Sequence, residues 1–319
     1  MTLMYNQVLD ALNRLRTSYV KETPFIESQS LGRLLGCKLL LKLENLQLSG
    51  CFKVRGVTNK LLSTDKNDLA KGIITVSGGN HGIATAIVAN QLGIKATVII
   101  PKTAPVSSRS FVKESGSNLV EVDSSEEAFE TVKEFPECTF IHPYDDEEII
   151  SGHGSIGLEM INKASNLTDV IVSIGGGGLI SGLCAAIKEK NPHIRIWGVE
   201  TKGAEAMSAA LAQGKPVTVD ITSICSTLGA PIVTTRTLDC VKKYVEDIIV
   251  VSDEDALNGI QIFAHREKIW TEPAAGCLFS ATNDILQRID GSPTIALVIC
   301  GGNFSIQDYH KYSHLLKHQ

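Results

Sequence analysis

Short apolar runs rich in valine and isoleucine alternate along this sequence with longer segments of helical periodicity. A strand that is covered on both faces of a sheet reads as a continuous apolar run, and parallel strands need a crossover connection that is usually a helix. The alternation is therefore typical of βαβ units, and it predicts an α/β protein built on parallel sheets.

The apolar runs fall into two groups. In the first half we predict strands at 72–77, 96–101, 118–122 and 139–142, with helices near 81–92, 106–115 and 126–135. In the second half we predict strands at 169–174, 194–199, 247–251 and 295–300, with helical stretches such as 253–267 and 274–289. Each group gives one sheet, so we expect two lobes that pack together and form a ligand-binding cleft.

Composition excludes several classes of function. At 319 residues and 43% hydrophobic the chain can bury a substantial core, and its net charge of -5 provides no basic field for nucleic acid. We expect neither a membrane span nor an export signal, and so a cytoplasmic protein. The eight cysteines form no Cys-x-x-Cys pair, which argues against a zinc site or a disulfide framework and favours small buried side chains in a reducing compartment.

A run of four glycines, Gly175 to Gly178, follows an apolar strand and opens a helix. Several backbone N–H groups can then point at one anion, at the positive end of the helix dipole. The spacing fits neither G-x-G-x-x-G nor a Gly-Lys-Ser/Thr loop, so a small phosphate is favoured over a dinucleotide or a nucleoside triphosphate. A tight turn without a ligand is the alternative reading of this motif on its own.

Two further loops follow predicted strands. Ser77 to Gly82 adds a hydroxyl, an amide and an imidazole to its free backbone donors, and it can hold a carboxylate. The second, Cys300 to Asn303, follows the last strand, and ligands of open α/β sheets collect at strand ends.

These three loops, together with Phe52-Lys53-Val54-Arg55-Gly56, resemble the fold type II pyridoxal-phosphate enzymes, which are tryptophan synthase β-like. Within them the chain is most similar to the threonine and serine dehydratases and their relative serine racemase. The motifs keep the family's order from Thr23-Pro24 to Asn303. The resemblance implies a homodimer with pyridoxal 5'-phosphate in the cleft between two parallel-sheet domains, a large one at 1–65 and 146–319 and a small substrate domain at 66–145.

The resemblance also assigns roles to individual residues. Lys53 carries the cofactor and later acts as the base at the substrate Cα, and its apolar neighbours suit a desolvated amine of lowered pKa. The residues expected to contact the cofactor are Lys53, Phe52, Asn80, Gly175, Gly176, Gly177, Gly178, Leu179, Glu272 and Cys300. Those expected to receive the substrate are Ser77, Gly78, Gly79, Asn80 and His81. Without the motif, Lys53 would be read as a surface lysine, and His81 and Glu272 as ordinary helix-start residues.

Two positions bear on the type of reaction. Cys300 matches the position beside the pyridine nitrogen, where a thiol is a weak hydrogen-bond partner and too weak an acid to keep that nitrogen protonated. Such a ring is a modest electron sink, which suits β-elimination. Gly78 matches the position at which serine racemase carries a serine on the face opposite the lysine, so racemisation lacks its proton donor.

Three positions depart from the pattern of the family. Cys51 stands where serine is usual, and His153 where glutamine is usual, a replacement that the sequence does not explain. Glu200 and the carbonyl of Ala204 match a cation site, but Ala206 replaces an aspartate of the racemase-type divalent site. A monovalent ion such as potassium, or no ion, is then expected.

The sequence therefore predicts a pyridoxal-phosphate-dependent L-threonine/L-serine dehydratase, an ammonia-lyase. It would act on a small hydroxy-amino acid by β-elimination and release 2-oxobutanoate or pyruvate with ammonia. The enzyme alternatives are serine racemase, another hydroxy-amino-acid dehydratase, and a β-replacement enzyme of the cysteine or cystathionine synthase type. The alternative outside enzymes is a phosphate- or nucleotide-binding protein, which would need the glycine loops but no lysine at position 53.

Overall fold

The computed structural model describes residues 5–316, which form two sheets covered by helices. The strands are β1 Phe25–Glu27, β2 Lys38–Leu43, β3 Ile73–Val76, β4 Ala96–Pro101, β5 Asn118–Val122, β6 Thr139–Phe140, β7 Asp169–Ser173, β8 Arg195–Thr201, β9 Ile248–Val251 and β10 Thr294–Ile299. The helices are α1 Tyr5–Leu15, α2 Gln29–Leu35, α3 Lys53–Ser63, α4 Lys66–Leu69, α5 Asn80–Gln91, α6 Val106–Glu114, α7 Ser125–Thr131, α8 Glu147–Lys163, α9 Gly178–Ile187, α10 Ala206–Gln213, α11 Thr235–Tyr244, α12 Asp253–Ile262, α13 Pro273–Leu286 and α14 Ile306–Tyr312.

The larger sheet has six strands in the order β1-β2-β10-β7-β8-β9. All neighbours in it run parallel except β1, which pairs antiparallel with β2 at the edge. Its central strands are buried along their whole length, because helices cover both faces. The smaller sheet is wholly parallel, in the order β5-β4-β3-β6.

The α/β class and the two sheets predicted from the sequence are confirmed, and β4 and β5 begin and end at the predicted residues. The prediction of four strands in the second sheet was wrong, because β1 and β2 from the amino-terminal part of the chain join it. The segment that forms β2 contains Lys38 and Lys42. Charged residues within an apolar run make a buried strand hard to recognise from the sequence. The domain boundaries at 65 and 146 stay a prediction.

A buried ionic network explains how a lysine enters the larger sheet. The Lys42 ammonium contacts Glu159, and Arg55 bonds both Glu44 (Nε to Oε2, 2.7 Å) and Glu159 (Nη1 to Oε1, 2.6 Å). The four side chains are almost fully buried. Because two cations face two carboxylates, no charge is left unpaired, and the network holds β2, the first turn of α3 and α8 together.

Two expectations from composition concern the cysteines and the membrane. All eight cysteines are free thiols. Among the residues that the structure describes, no helix is long and apolar enough to cross a membrane.

Candidate active site

A small cavity between the two sheets brings together every residue expected to contact the cofactor. The lining contains Phe52, Lys53, Asn80, Gly175, Gly176, Gly177, Gly178, Leu179, Glu272 and Cys300. These residues come from five separate stretches of the chain, and the glycine loop and Cys300 follow the carboxyl ends of β7 and β10. Carboxyl ends of neighbouring parallel strands meet at one edge of a sheet, which is why these motifs converge.

Lys53 is the first residue of α3, and its ammonium lies inside the site. Its Nζ donates to the carbonyl of Pro143 at 2.5 Å and lies 5.2 Å from the centroid of the Phe52 ring. Burial lowers the pKa of Lys53 to about 8, although Cys51, Cys300 and Glu272 favour the charged form. An amine with this pKa is partly unprotonated at neutral pH, as a nucleophile or a general base must be.

The glycine loop presents free donors to the same cavity. Helix α9 begins at Gly178, and Gly177 precedes it with a φ of 89°, a left-handed conformation that favours glycine. The helical hydrogen bonds of α9 begin at Ser181, whose backbone N–H donates to the carbonyl of Gly177 at 3.0 Å. The N–H groups of the turn before it have no acceptor within the helix, so they can bind a phosphate.

The structure also shows why side chains are excluded from this loop. A Cβ on Gly176 would lie 2.3 Å from the ring of Tyr144, and one on Gly178 would lie 2.9 Å from the Tyr144 carbonyl. Tyr144 therefore packs tightly on the loop, and its hydroxyl donates to the carbonyl of Ile232 at 2.9 Å. Sequence reasoning missed Tyr144, although its place just after β6 was a signal, since ligands collect at strand ends.

Glu272 lies at the centre of a hydrogen-bond network. It accepts from Asn80 Nδ2 (2.8 and 3.0 Å), Thr227 Oγ1 (3.0 Å) and the backbone N–H of Asn303 (3.2 Å). Burial raises the pKa of Glu272, and these donors only partly offset that effect. Thr227 was not foreseen, because it lies in a loop without a motif.

Cys300 lies beside this network. Its Sγ is 3.5 Å from Ser173 Oγ and 4.0 Å from Glu272 Oε1. Burial, reinforced by the carboxylate of Glu272, raises the pKa of Cys300 well above its usual range. The side chain is thus a neutral thiol, the state on which the sequence argument about the ring nitrogen depends.

The loop expected to receive the substrate connects β3 to α5. Ser77 Oγ accepts from the backbone N–H of Gly79 at 3.3 Å, and a Cβ on Gly78 would lie 2.8 Å from the Cβ of Ala104. His81 is buried, and its Nε2 lies 3.3 Å from the carbonyl of Ile141. Of the five residues expected to receive the substrate, only Asn80 lines the cavity. The substrate role of the loop stays a prediction.

His153, whose presence in place of glutamine the sequence does not explain, lies on α8 and packs against Phe52. Its ring meets the Phe52 ring edge-on, with centroids 4.7 Å apart. A Cβ on Gly56 would lie 2.5 Å from His153 Nε2, so the imidazole fills the hollow that this glycine leaves. Burial holds the pKa of His153 well below its usual range. A neutral imidazole therefore packs against the ring of Phe52.

The expected cation residues lie apart from this cavity. Both oxygens of Glu200 accept hydrogen bonds from the start of α10, from Met207 N (2.8 Å) and from Ser208 N and Oγ (2.9 and 2.6 Å). Within residues 5–316 no group of three or more His, Cys, Asp or Glu side chains could hold a metal ion. A monovalent ion at Glu200 and Ala204 stays a prediction.

The residues present fit a small phosphorylated aldehyde. The cavity combines a cradle of backbone donors for a phosphate, a buried amine of lowered pKa that can bond a carbonyl carbon, and a neutral thiol. A buried lysine and a phosphate cradle in one cavity are the features of an enzyme that anchors such a cofactor covalently.

Comparison with known proteins gives the family. The model of the pyridoxal-phosphate dependent enzymes matches residues 16–301, so this chain belongs to that family and binds pyridoxal 5'-phosphate. The chain is 33% identical to an L-threonine ammonia-lyase of Geobacter sulfurreducens over 96% of its own length and 77% of that protein's. It is 33% identical to a serine racemase of Oryza sativa subsp. indica, over 90% of its length and 87% of that protein's.

A comparison of structures agrees with the fold. The structure of maize serine racemase has a TM-score of 0.92 at 33% identity, covering 99% of this chain and 98% of that one. The relatives thus include both ammonia-lyases and racemases at similar identity, and the enzyme belongs with these dehydratases and racemases.

Proposed function

We propose that this enzyme is an L-threonine/L-serine ammonia-lyase that releases 2-oxobutanoate or pyruvate together with ammonia. The observation that carries elimination over racemisation is Gly78. It stands in the loop between β3 and α5 and offers no hydroxyl for returning a proton to the face of the substrate opposite Lys53. The ammonia-lyases among the relatives support the same activity.

Each residue of the site has a separate role in the proposed reaction. The bound cofactor withdraws electrons from the substrate Cα, which makes the Cα proton acidic. The free amine of Lys53 takes that proton, and its lowered pKa keeps it available at neutral pH. The N–H groups of the glycine loop would hold the cofactor phosphate, and Asn80, which lines the same cavity, would contact the cofactor ring. The neutral Cys300 thiol would offer the ring nitrogen no strong acid, so the cofactor would be a modest electron sink, which suits loss of the β-hydroxyl.

The direct test is ammonia release by the purified, cofactor-loaded enzyme with L-threonine, L-serine, hydroxyaspartate and phenylserine. We expect turnover of L-threonine or L-serine, with 2-oxo acid and ammonia formed in equal amounts. If the enzyme instead consumes sulfide together with L-serine, and releases no ammonia when sulfide is absent, the reaction is β-replacement.

We further propose a homodimer in the cytoplasm, which gel filtration and cell fractionation would test.

Gly78 allows a matched test of the choice between elimination and racemisation. We expect Gly78→Ser to raise D-serine formation from L-serine by about tenfold or more over Gly78→Ala, since a positioned proton donor contributes at least about a hundredfold when its geometry is good. Both variants add the same Cβ against Ala104, so the hydroxyl is the only difference. Chiral chromatography measures the product. Equal D-serine formation by both variants, or D-serine formed by the unmodified enzyme as fast as pyruvate, would contradict the proposal.

Cys300 offers a second matched pair. Cys300→Ser keeps a small neutral partner, and we expect ammonia release to stay within a few-fold of the unmodified rate. Cys300→Asp places a second carboxyl group about 4 Å from Glu272, where two buried carboxylates cannot both ionise. We expect ammonia release to fall by on the order of 10- to 100-fold, or about 1.4–3 kcal/mol in the barrier. Equal rates in the two variants, with equal cofactor content, would show that this position does not influence the reaction.

A further inference from the structure

A second cavity, of about 620 Å³, lies outside the candidate active site, among α1, α9 and α11. Its walls contain two of the eight cysteines, Cys184 on α9 and Cys240 on α11, and the reaction proposed above uses neither of them. Cavities of this size accommodate small organic ligands.

The two cysteines lie on helices that contact each other, α9 and α11, and both line this cavity. Cys240 Sγ lies 4.0 Å from the carbonyl of Ser181, which is one helical turn before Cys184 on the same face of α9. Cys184 is buried, whereas Cys240 is partly exposed. The neighbouring Cys184 thiol, with help from Lys243, lowers the pKa of Cys240, and burial raises the pKa of Cys184 well above its usual range. One thiol is therefore the natural nucleophile and the other stays protonated until it is needed.

The charges around the cavity favour an anionic reagent. Four cationic side chains line it, against the two carboxylates of Glu189 and Asp239; they are Lys188, Lys190, Lys243 and Arg236. Arg236 is already paired with Asp145 and Glu147 outside the lining. The three lysines outnumber the two carboxylates of the lining by one, and an electropositive, partly exposed setting is typical of reactive cysteines.

We propose that Cys240 and Cys184 form a redox modification site for an anionic, low-molecular-weight disulfide. The Cys240 thiolate attacks one sulfur of the disulfide, which forms a mixed disulfide and releases one thiolate. Cys184 then gives up its proton and attacks the Cys240 sulfur, which forms the Cys184–Cys240 disulfide and releases the second thiol. The protein dithiol is oxidised by two electrons and the reagent is reduced to two thiols.

Both cysteines lie on helices that touch the glycine loop. Helix α9 begins with Gly178, and on α11 Thr237 lies one turn before Cys240. A Cβ on Gly177 would lie 2.7 Å from the Cβ of Thr237, so α11 packs directly on the loop. Linking the helices would thus alter the packing behind the phosphate cradle. This proposal is independent of which amino acid the enzyme consumes.

The test measures thiol chemistry in the cofactor-loaded enzyme, using oxidised glutathione as the anionic probe and cystamine as its cationic counterpart. Peptide mass spectrometry over time follows each cysteine. We expect Cys240 to react first, about tenfold or more faster than the partly exposed Cys138, and to end in the internal disulfide. Cys184→Ser should stop at the mixed disulfide, and Cys240→Ser should leave Cys184 unmodified.

The charge of the cavity has its own control. Lys243→Met should slow the reaction of Cys240 with oxidised glutathione and leave or raise that with cystamine, whereas Lys133→Met, on an exposed ion pair, should change neither rate. The proposal is overturned if Cys138 reacts as fast as Cys240 in the unmodified enzyme. It is equally overturned if no internal disulfide forms once Cys240 is modified, or if cystamine reacts faster than oxidised glutathione. These three outcomes are measured on the unmodified enzyme, so none of them depends on a variant that fails to fold.

Discussion

Replacing Lys53 by alanine is expected to abolish ammonia release while the fold persists. The amine supplies both the covalent anchor for the cofactor and the base at the substrate Cα, and a positioned base alone contributes about 10²–10⁴-fold. We therefore expect a loss on the order of 10⁴-fold or more. Lys53 lies in a wall of the cavity, at the first residue of α3, so its removal leaves the buried faces of that helix intact.

Two measurements make this test specific. Ammonia release from L-threonine gives the activity, and borohydride reduction followed by peptide mass spectrometry shows whether the cofactor becomes fixed at residue 53. The exposed Lys66 provides the control, and Lys66→Ala should retain both the activity and the label. Substantial ammonia release by folded Lys53→Ala, or labelling at another lysine of the unmodified enzyme, would refute the assignment.

Replacing Arg55 by methionine is expected to destabilise the protein by about 3–5 kcal/mol, the usual effect of removing one partner of a buried ion pair. Arg55 is fully buried between Glu44 and Glu159, and only Lys42 would remain to balance two buried carboxylates. The free energy of unfolding, measured in urea at neutral pH on the cofactor-free protein, is the readout.

The reference for this effect is an ion pair on the surface. Lys133 pairs with Glu130 in the open, where both side chains remain largely exposed, and Lys133→Met should change stability very little. Replacing Arg55 together with Glu44 by apolar residues of similar size should recover much of the loss, because the remaining Lys42 and Glu159 still pair with each other and no unpaired charge is then buried. A loss for Arg55→Met no larger than that for Lys133→Met would show that the network does not contribute to stability.

Much of the fold could be predicted from the sequence, because the central strands of a parallel sheet can be recognised as continuous apolar runs. The limits of β4 and β5 follow from runs of β-branched and apolar residues, and α5 and α6 were placed to within about a residue at each end. The failure at β2 has a physical cause. Lys42 reads as a surface residue until Glu159, far away in the sequence, is seen to neutralise it.

The candidate site was predictable where its residues belong to motifs. The glycine loop and Cys300 each follow a strand of one sheet and Ser77 follows a strand of the other, so topology alone brings them to the cleft. Tyr144 and Thr227 carry no such pattern, and their roles depend on contacts with Gly176 and Glu272 that only the folded chain creates.

The sequence by itself determined the α/β class, the two-sheet organisation and the motifs that mark the pyridoxal-phosphate family, because each depends on local periodicity or on neighbours along the chain. Tertiary structure decided the electrostatics. The pKa of Lys53 falls to about 8 because residues from distant segments exclude water from it, and the meeting of Cys184 with Cys240 results from the packing of α9 on α11. Desolvation and contact through space depend on which distant residues become neighbours, and only the folded chain specifies that.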